Sequence, residues 1–292
     1  MTLSRTKAAS EWTAKISEMP LPTFVIKPPS GFGSFDVAAL WEYRELLYFL
    51  IWRDVKVRYK QTFIGAGWAI FQPAMTVAIF TVIFGNFAKI PSDGLPYAVF
   101  AYTALLPWTY FSSALSRSGT GLVSNANLVT KVYFPRLIIP LASVIAPAVD
   151  FLFAFLVLLG LIGWFGIVPT WGLVALPLFF LLAMITALAV GLWLGPLNAR
   201  YRDVGHTIPF LIQFWMFASP VVYPVSLIPE SWRLLYSLNP MVGVIEGFRW
   251  ALLGKGNPDF TPMLVSMVVV LVLLVGGVVF FKRMERTLAD VI

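Results

Sequence analysis

The sequence predicts an all-α integral membrane protein with six transmembrane helices, an N-terminal amphipathic interfacial helix and an outer re-entrant helical hairpin. Three observations predict it. Of 292 residues, 59% are hydrophobic and 12% charged, where a soluble domain carries roughly a quarter charged residues. Six stretches approach the roughly 20 apolar residues that a bilayer span requires. Lys and Arg concentrate between those stretches on one side, as cytoplasmic loops do.

The elements follow in order. Residues 1–37 are polar and Pro-rich, without the apolar run of a cleavable signal, and read as a cytoplasmic tail. Residues 38–61 read as the interfacial helix. There Glu42, Glu45, Arg53, Lys56 and Lys60 fall on one helical face, with Trp41, Tyr48, Trp52, Val55 and Tyr59 near the opposite one. The apolar run Leu46–Trp52 is too short to cross, so the helix is expected to lie at headgroup depth. Residues 62–292 form the membrane domain. Its spans are expected at 63–87, 95–115, 137–165, 171–197, 208–223 and 263–281. The fifth is the shortest and holds Pro209 and Pro220. Between the last two, residues 225–254 mix Glu230, Arg233, Glu246 and Arg249 with Trp232, Leu234, Leu235 and Trp250, and Asn239-Pro240 interrupts them. Two short helices dipping into the outer leaflet fit this pattern better than a polar loop.

Orientation comes from charge. With the N-terminus inside, the outer regions hold Lys89, Arg233, Arg249 and Lys255, and the other seventeen of the 21 Lys and Arg lie inside. Both termini are therefore expected in the cytoplasm. The net charge of +7 is a topology signal, because no basic run on a polar surface is present to hold nucleic acid.

Several chemistries are excluded. The chain has no cysteine and one histidine, His206, so disulfides, thiolate nucleophiles and Cys/His zinc sites are ruled out. No G-x-x-x-x-G-K-[ST] phosphate loop occurs; Gly254-Lys255-Gly256 lacks the earlier glycine and the hydroxyl residue. No paired carboxylates stand at cytoplasmic span ends. Metal, cofactor and catalytic sites are expected to be absent. Asp150 lies inside the third apolar stretch, where a carboxylate suggests function by default. With no basic partner visible within a span, it reads as structural. His206, at a span boundary, reads as a solvated cap.

Four blocks carry a family resemblance: RDVKVRYKQTFIGAGWAIFQP (Arg53–Pro73), LLPWTYFSSALSRSGTGLVSNANLVTKVYFPR (Leu105–Arg136), NARYRDVGHTIPFLIQFWMFASPVVYP (Asn198–Pro224) and LNPMVGVIEGFRWALLG (Leu238–Gly254). The tail ERTLADVI adds to them. The chain resembles permease subunits of ABC-2 type transporters, in particular those exporting polysaccharides of O-antigen, capsule or teichoic-acid type. The resemblance implies a homodimer in the bacterial inner membrane, two copies of a separate ABC ATP-binding subunit that holds ATP and Mg, and a lipid-linked glycan as cargo. It also implies that Ser124–Arg136 is a coupling helix against the ATPase, with Ser124, Asn125, Asn127, Lys131, Phe134 and Arg136 as contact candidates. Arg200, Tyr201, Arg202 and Asp203, within Asn198–His206, are the second contact; the alternative reading of Arg202-Asp203 is a local ion pair with no partner. Sugars stack on aromatic rings, so Trp41, Tyr48, Trp68, Phe71, Trp108, Tyr110, Trp215 and Tyr223 are candidates for the substrate path, though membrane belts and cores use the same residues. Glu246 and Arg249 are candidates for an outer gate. Two other classes fit the same composition: an ABC-2 exporter of a small molecule or drug, and a membrane-embedded enzyme acting on lipid-linked sugars.

Overall fold

The computed structural model describes residues 37–60, 67–168, 170–254 and 260–291. The N-terminal tail up to residue 36, residues 63–66 of the first predicted span, and Lys255-Gly256 lie outside them. All regular structure among the described residues is helical. In chain order the α-helices are α1 (Val37–Glu42), α2 (Arg44–Lys60), α3 (Gly67–Phe80), α4 (Tyr97–Ser124), α5 (Ala126–Lys131), α6 (Ile138–Ile145), α7 (Ala148–Trp164), α8 (Leu176–Arg200), α9 (Asp203–Phe217), α10 (Glu230–Tyr236), α11 (Pro240–Leu253) and α12 (Phe260–Val291).

Among the described residues, four segments are long and apolar enough to cross a bilayer: Ile70–Phe87, Ile138–Trp164, Trp171–Arg200 and Thr261–Glu285. They coincide with the first, third, fourth and sixth predicted spans. The second prediction falls on α4, whose 28 residues reach about 42 Å but include Arg117 and many Ser, Thr and Tyr side chains. The fifth falls on α9, whose 15 residues reach only about 22 Å, short of the roughly 30 Å hydrocarbon core. Ala218 ends α9, and Pro220 and Pro224 follow in the turn beyond it.

Helix α4 is the central strut. It is buried along nearly its whole length and packs against α3, α6, α7, α8, α9 and α11. Such a helix can be apolar all round because no face meets water. Glycines set how closely its neighbours approach. A Cβ at Gly191 would overlap the Ser118 side chain of α4, and one at Gly195 would press on the Ser118 carbonyl at 3.2 Å. On the far side of α8, Gly277 meets the Ala189 carbonyl and Gly276 meets Trp193, which brings α12 into the same layer.

The third predicted span is one segment with a break. Pro147 has no N–H to donate and separates α6 from α7. Hydroxyls of α4 serve the carbonyls on either side: Tyr110 donates to Val144 at 2.8 Å and Tyr102 to Ala154 at 3.1 Å. The first span ends in a π-helical turn, Thr81–Phe87. There Gly85 leaves room for the Tyr97 ring, which a Cβ would touch at 3.0 Å.

Helix α2 buries neither of the two faces that its sequence pattern suggested. It packs through a third, aliphatic face, with Leu46, Leu47 and Ile51 around buried Leu50. The aromatic and basic faces are adjacent, not opposed; Trp52, Lys56 and Lys60 point outward, with the Lys56 ammonium 4.1 Å above the Trp52 ring, while Arg53 and Tyr59 turn back to the bundle. The reason is the helical period, which places residues 52 and 56 one turn apart.

Candidate functional site

The end of the molecule that holds both predicted contact segments is assembled around one apolar cluster. Leu50 of α2, Leu122 of α4, Val129 of α5, Phe134, Ile138 of α6, and Phe281 and Leu288 of α12 are all buried in it. Polar bonds staple the same elements together. Arg53 donates to Asp54 and to the Asn125 side-chain oxygen at 2.9 Å, and Asn125 in turn donates to the Gly121 carbonyl at 2.8 Å. The Arg136 backbone N–H donates to the Glu285 carboxylate at 3.1 Å, and its guanidinium donates to the Glu285 carbonyl. Asn198 is buried and donates to the Gly119 carbonyl at 3.0 Å. That contact sets the ends of α4 and α8 side by side, so the two predicted contact segments leave the bundle at the same end.

The candidates for coupling thereby separate by burial. Ser124, Asn127, Lys131, Arg200, Tyr201, Arg202 and Asp203 are exposed. Phe134 is a core residue at 4% exposure, and Asn125 and Arg136 spend their polar groups inside the chain. Arg200 stacks over Tyr201 with its guanidinium carbon 5.4 Å from the ring centre. No ion pair joins Arg202 to Asp203 among the described residues. His206 is exposed in the first turns of α9.

Asp150 has a basic partner, and it stands outside the spans. It occupies the first turn of α7, pairs with the Arg58 guanidinium and accepts from the Tyr59 hydroxyl, both in the last turn of α2. The partner was missed because it lies on a non-spanning helix 92 positions earlier, beyond any local pattern. Burial lowers the Arg58 pKa, and the like charge of Arg117 on α4 adds to this. Burial raises the Tyr59 pKa, opposed by the same two arginines.

The aromatic candidates divide in the same way. Trp41 and Tyr48 are exposed on α1 and α2. Trp68 and Phe71 are exposed on α3, edge to face at 5.5 Å. Trp108 and Tyr110 do not line an open path in this chain: each is 3% exposed, and the Tyr110 ring packs on Phe180 at 4.8 Å. Trp215 and Tyr223 sit at the other end of the molecule. There a hollow of about 370 Å³ is lined by Trp215, Ala218, Ile228, Trp232, Leu235, Tyr236 and Asn239. Asn239 organises it. Its side-chain oxygen caps α11 by accepting from the Met241 N–H at 3.0 Å and also accepts from the Trp215 indole at 2.9 Å. Its amide donates to the Ala218 carbonyl and the Ser219 hydroxyl, each at 2.9 Å. Tyr223 and Tyr236 share a hydrogen bond of 3.0 Å, and burial raises the Tyr236 pKa.

The break predicted at Asn239-Pro240 is present, and the two helices beside it differ. α10 is largely exposed, while α11 is packed on all sides and closed by Gly254 in the left-handed region at φ 60°. Arg249 of α11 is 5% exposed, lies 2.9 Å from Glu246, donates to the Val221 carbonyl at 3.2 Å and rests 3.8 Å above the Phe100 ring. Among the described residues no three His, Asp or Glu side chains converge as a metal site.

The profile of the family described as ABC-2 type transporter matches residues 45–253. The chain is 30% identical to the O-antigen export system permease protein RfbA of Myxococcus xanthus, over 87% of this chain and 98% of that protein. It is 26% identical to the O-antigen export system permease protein RfbA of Klebsiella pneumoniae, over 85% and 95% respectively. It is 25% identical to the polysialic acid transport protein KpsM of Escherichia coli, over 82% and 94%.

Proposed function

The chain belongs to the ABC-2 type transporter family, and from that premise we propose that it is the permease subunit of an ATP-driven exporter of a lipid-linked cell-surface polysaccharide. The observation that carries this reading is near end-to-end similarity to permeases named for O-antigen and polysialic acid transport. The chain is a multi-pass membrane protein and a transport subunit. ATP and Mg are held by a separate ABC ATP-binding subunit, two copies serving a homodimer of this chain in the bacterial inner membrane. α4, and α9 together with the chain that continues from it to Tyr223, complete six crossings with the four apolar segments, both termini are cytoplasmic, and α10 and α11 form the outer re-entrant hairpin.

In this reading the exposed residues of the two inner turns meet the ATPase. Ser124, Asn127 and Lys131 supply one contact, and Arg200, Tyr201, Arg202 and Asp203 the other. Force applied there reaches α4 and α8 directly, because Asn198 ties their ends together. Helices α3 and α9, with little of their surface buried in one chain, face the second copy and the conduit between them. Trp68, Phe71, Trp215 and Tyr223 then offer rings to the passing glycan, and the Glu246–Arg249 pair steadies the outer gate.

The test is affinity purification of the chain from its native membrane, with ATPase activity measured on the eluate. A stoichiometric ATP-binding chain is expected. A lone, stable chain without one would overturn the reading. Loss of surface glycan on deletion, without loss of hydrophobic-dye export, separates glycan from drug transport. Replacing Arg200, Arg202 and Asp203 by Ala should leave ATP hydrolysis but stop export; normal export would remove the second turn from the coupling path.

A further inference from the structure

Helix α2 carries four basic residues between positions 53 and 60, and they have two different fates. Arg53 is held by Asp54 and Asn125, and Arg58 by Asp150. Lys56 and Lys60 are exposed and form no ion pair among the described residues. The carboxylates Glu42 and Glu45 of the same stretch lie about three turns or more away. The two lysines stand along a groove of about 320 Å³ lined by Phe49, Trp52, Arg53, Lys56, Val57 and Lys60. Its apolar members are outward-facing: Val57 is 69% exposed, Phe49 57%. Trp52 is pinned by the Lys56 ammonium above it.

We infer that this groove binds the phosphate headgroup of an anionic phospholipid of the leaflet that α2 lies on. Lys56 and Lys60 supply the positive charge, and Phe49, Trp52 and Val57 meet the acyl–glycerol region beside it. The charge pattern calls for an anion from outside, because no carboxylate among the described residues lines the groove. The rings and Val57 exclude a purely aqueous anion or the polar surface of a soluble subunit, which would leave three apolar side chains uncovered or wet. The position fits: α3, which opens the first apolar segment, begins seven residues after Lys60, so this face is at headgroup depth, where Trp and Lys are at home. Each lysine near an anionic surface strengthens the attraction of its segment to that surface by about fivefold.

The chain has no cysteine, so Val57→Cys gives one labelling site in the groove of the full-length protein. The labelled protein is placed in nanodiscs, and fluorescence quenching by dibrominated phosphatidylglycerol is compared with quenching by dibrominated phosphatidylcholine at equal mole fraction. Several-fold stronger quenching by phosphatidylglycerol is expected, falling to parity in Lys56→Gln/Lys60→Gln, a neutral pair of exposed substitutions that leaves the packed face intact. Equal quenching by the two lipids would overturn the inference, as would a preference unaffected by the double substitution. Abolition of the signal by trace polyprenyl pyrophosphate would also overturn it and reassign the groove to lipid-linked cargo. None of these readouts requires export, so the result stands apart from the transport reading.

Discussion

Asp150→Ala should destabilise the protein through a joint that is not visible in any one helix. The carboxylate is the common acceptor for Arg58 and Tyr59. Its removal leaves a half-buried guanidinium beside a second arginine, Arg117, and a phenol without an acceptor. Breaking a fully buried pair costs about 3–5 kcal/mol, and an exposed pair about 0–1 kcal/mol. With side-chain exposures of 39% and 23%, the pair lies between, at about 2 kcal/mol. The stranded Tyr59 hydroxyl adds about 1 kcal/mol. Losing a negative charge from the first turn of α7 adds a few tenths more. The sum, about 3 kcal/mol, corresponds to a drop of about 5 °C in the unfolding midpoint of a chain this size. The assay is thermal unfolding of the purified full chain in mild detergent, extended to a double-mutant cycle with Arg58→Ala. The two substitutions should be strongly non-additive, with a coupling of about 1 kcal/mol or more. Additive losses, or an unchanged midpoint for Asp150→Ala, would refute the joint.

Three further outcomes rest on equally local geometry. Gly247→Ala places a Cβ into the rigid Phe179 ring and should cost about 1–3 kcal/mol, read as a lower midpoint in the same assay. Asn239→Ala removes the cap of α11 and strands the Trp215 indole; the losses of about 1 kcal/mol for the cap and 1–3 kcal/mol for the indole should lower the midpoint, while Asn239→Asp recovers the cap. Arg136→Ala cuts the guanidinium tie to Glu285 and should speed amide hydrogen exchange in the last turns of α12, with the middle of that helix unaffected.

What the sequence revealed and what it hid follow from range. Apolar runs are local, so the four strongest segments were legible from composition and length. The Asn239-Pro240 break was legible because a capping residue followed by a proline is a local signal. The predicted fifth span, 208–223, starts and stops later than α9, because its prolines do not announce where the helix ends: Pro209 lies inside it and Pro220 beyond it. The packing face of α2 was not legible because a hydrophobic face can be aliphatic or aromatic, and the pattern drew attention to the larger rings. Leu46, Leu47 and Leu50 are the residues that pack. The partners of Asp150 and Arg136 lie 92 and 149 positions away, and no periodicity links residues so far apart.

Subtraction then sharpens the reading of the inner end. The seventeen inner Lys and Arg were one undifferentiated topology signal in the sequence. In the fold, Arg53, Arg58 and Arg136 are consumed as staples that bind α2 and α12 to the bundle. Lys56 and Lys60 face outward from α2, and Lys131, Arg200 and Arg202 face outward from the two turns. A coupling surface needs exposed charge on a support that does not yield. The turn at 198–203 has both: Asn198 is locked to α4 beneath it, and Gly205 permits that lock because any Cβ there would meet the Asn198 side-chain oxygen at 2.8 Å. If the proposed ATPase contact is made, a load on Arg200 or Arg202 would reach two core helices at once, whereas a load on Lys131 would pass first through the six residues of α5.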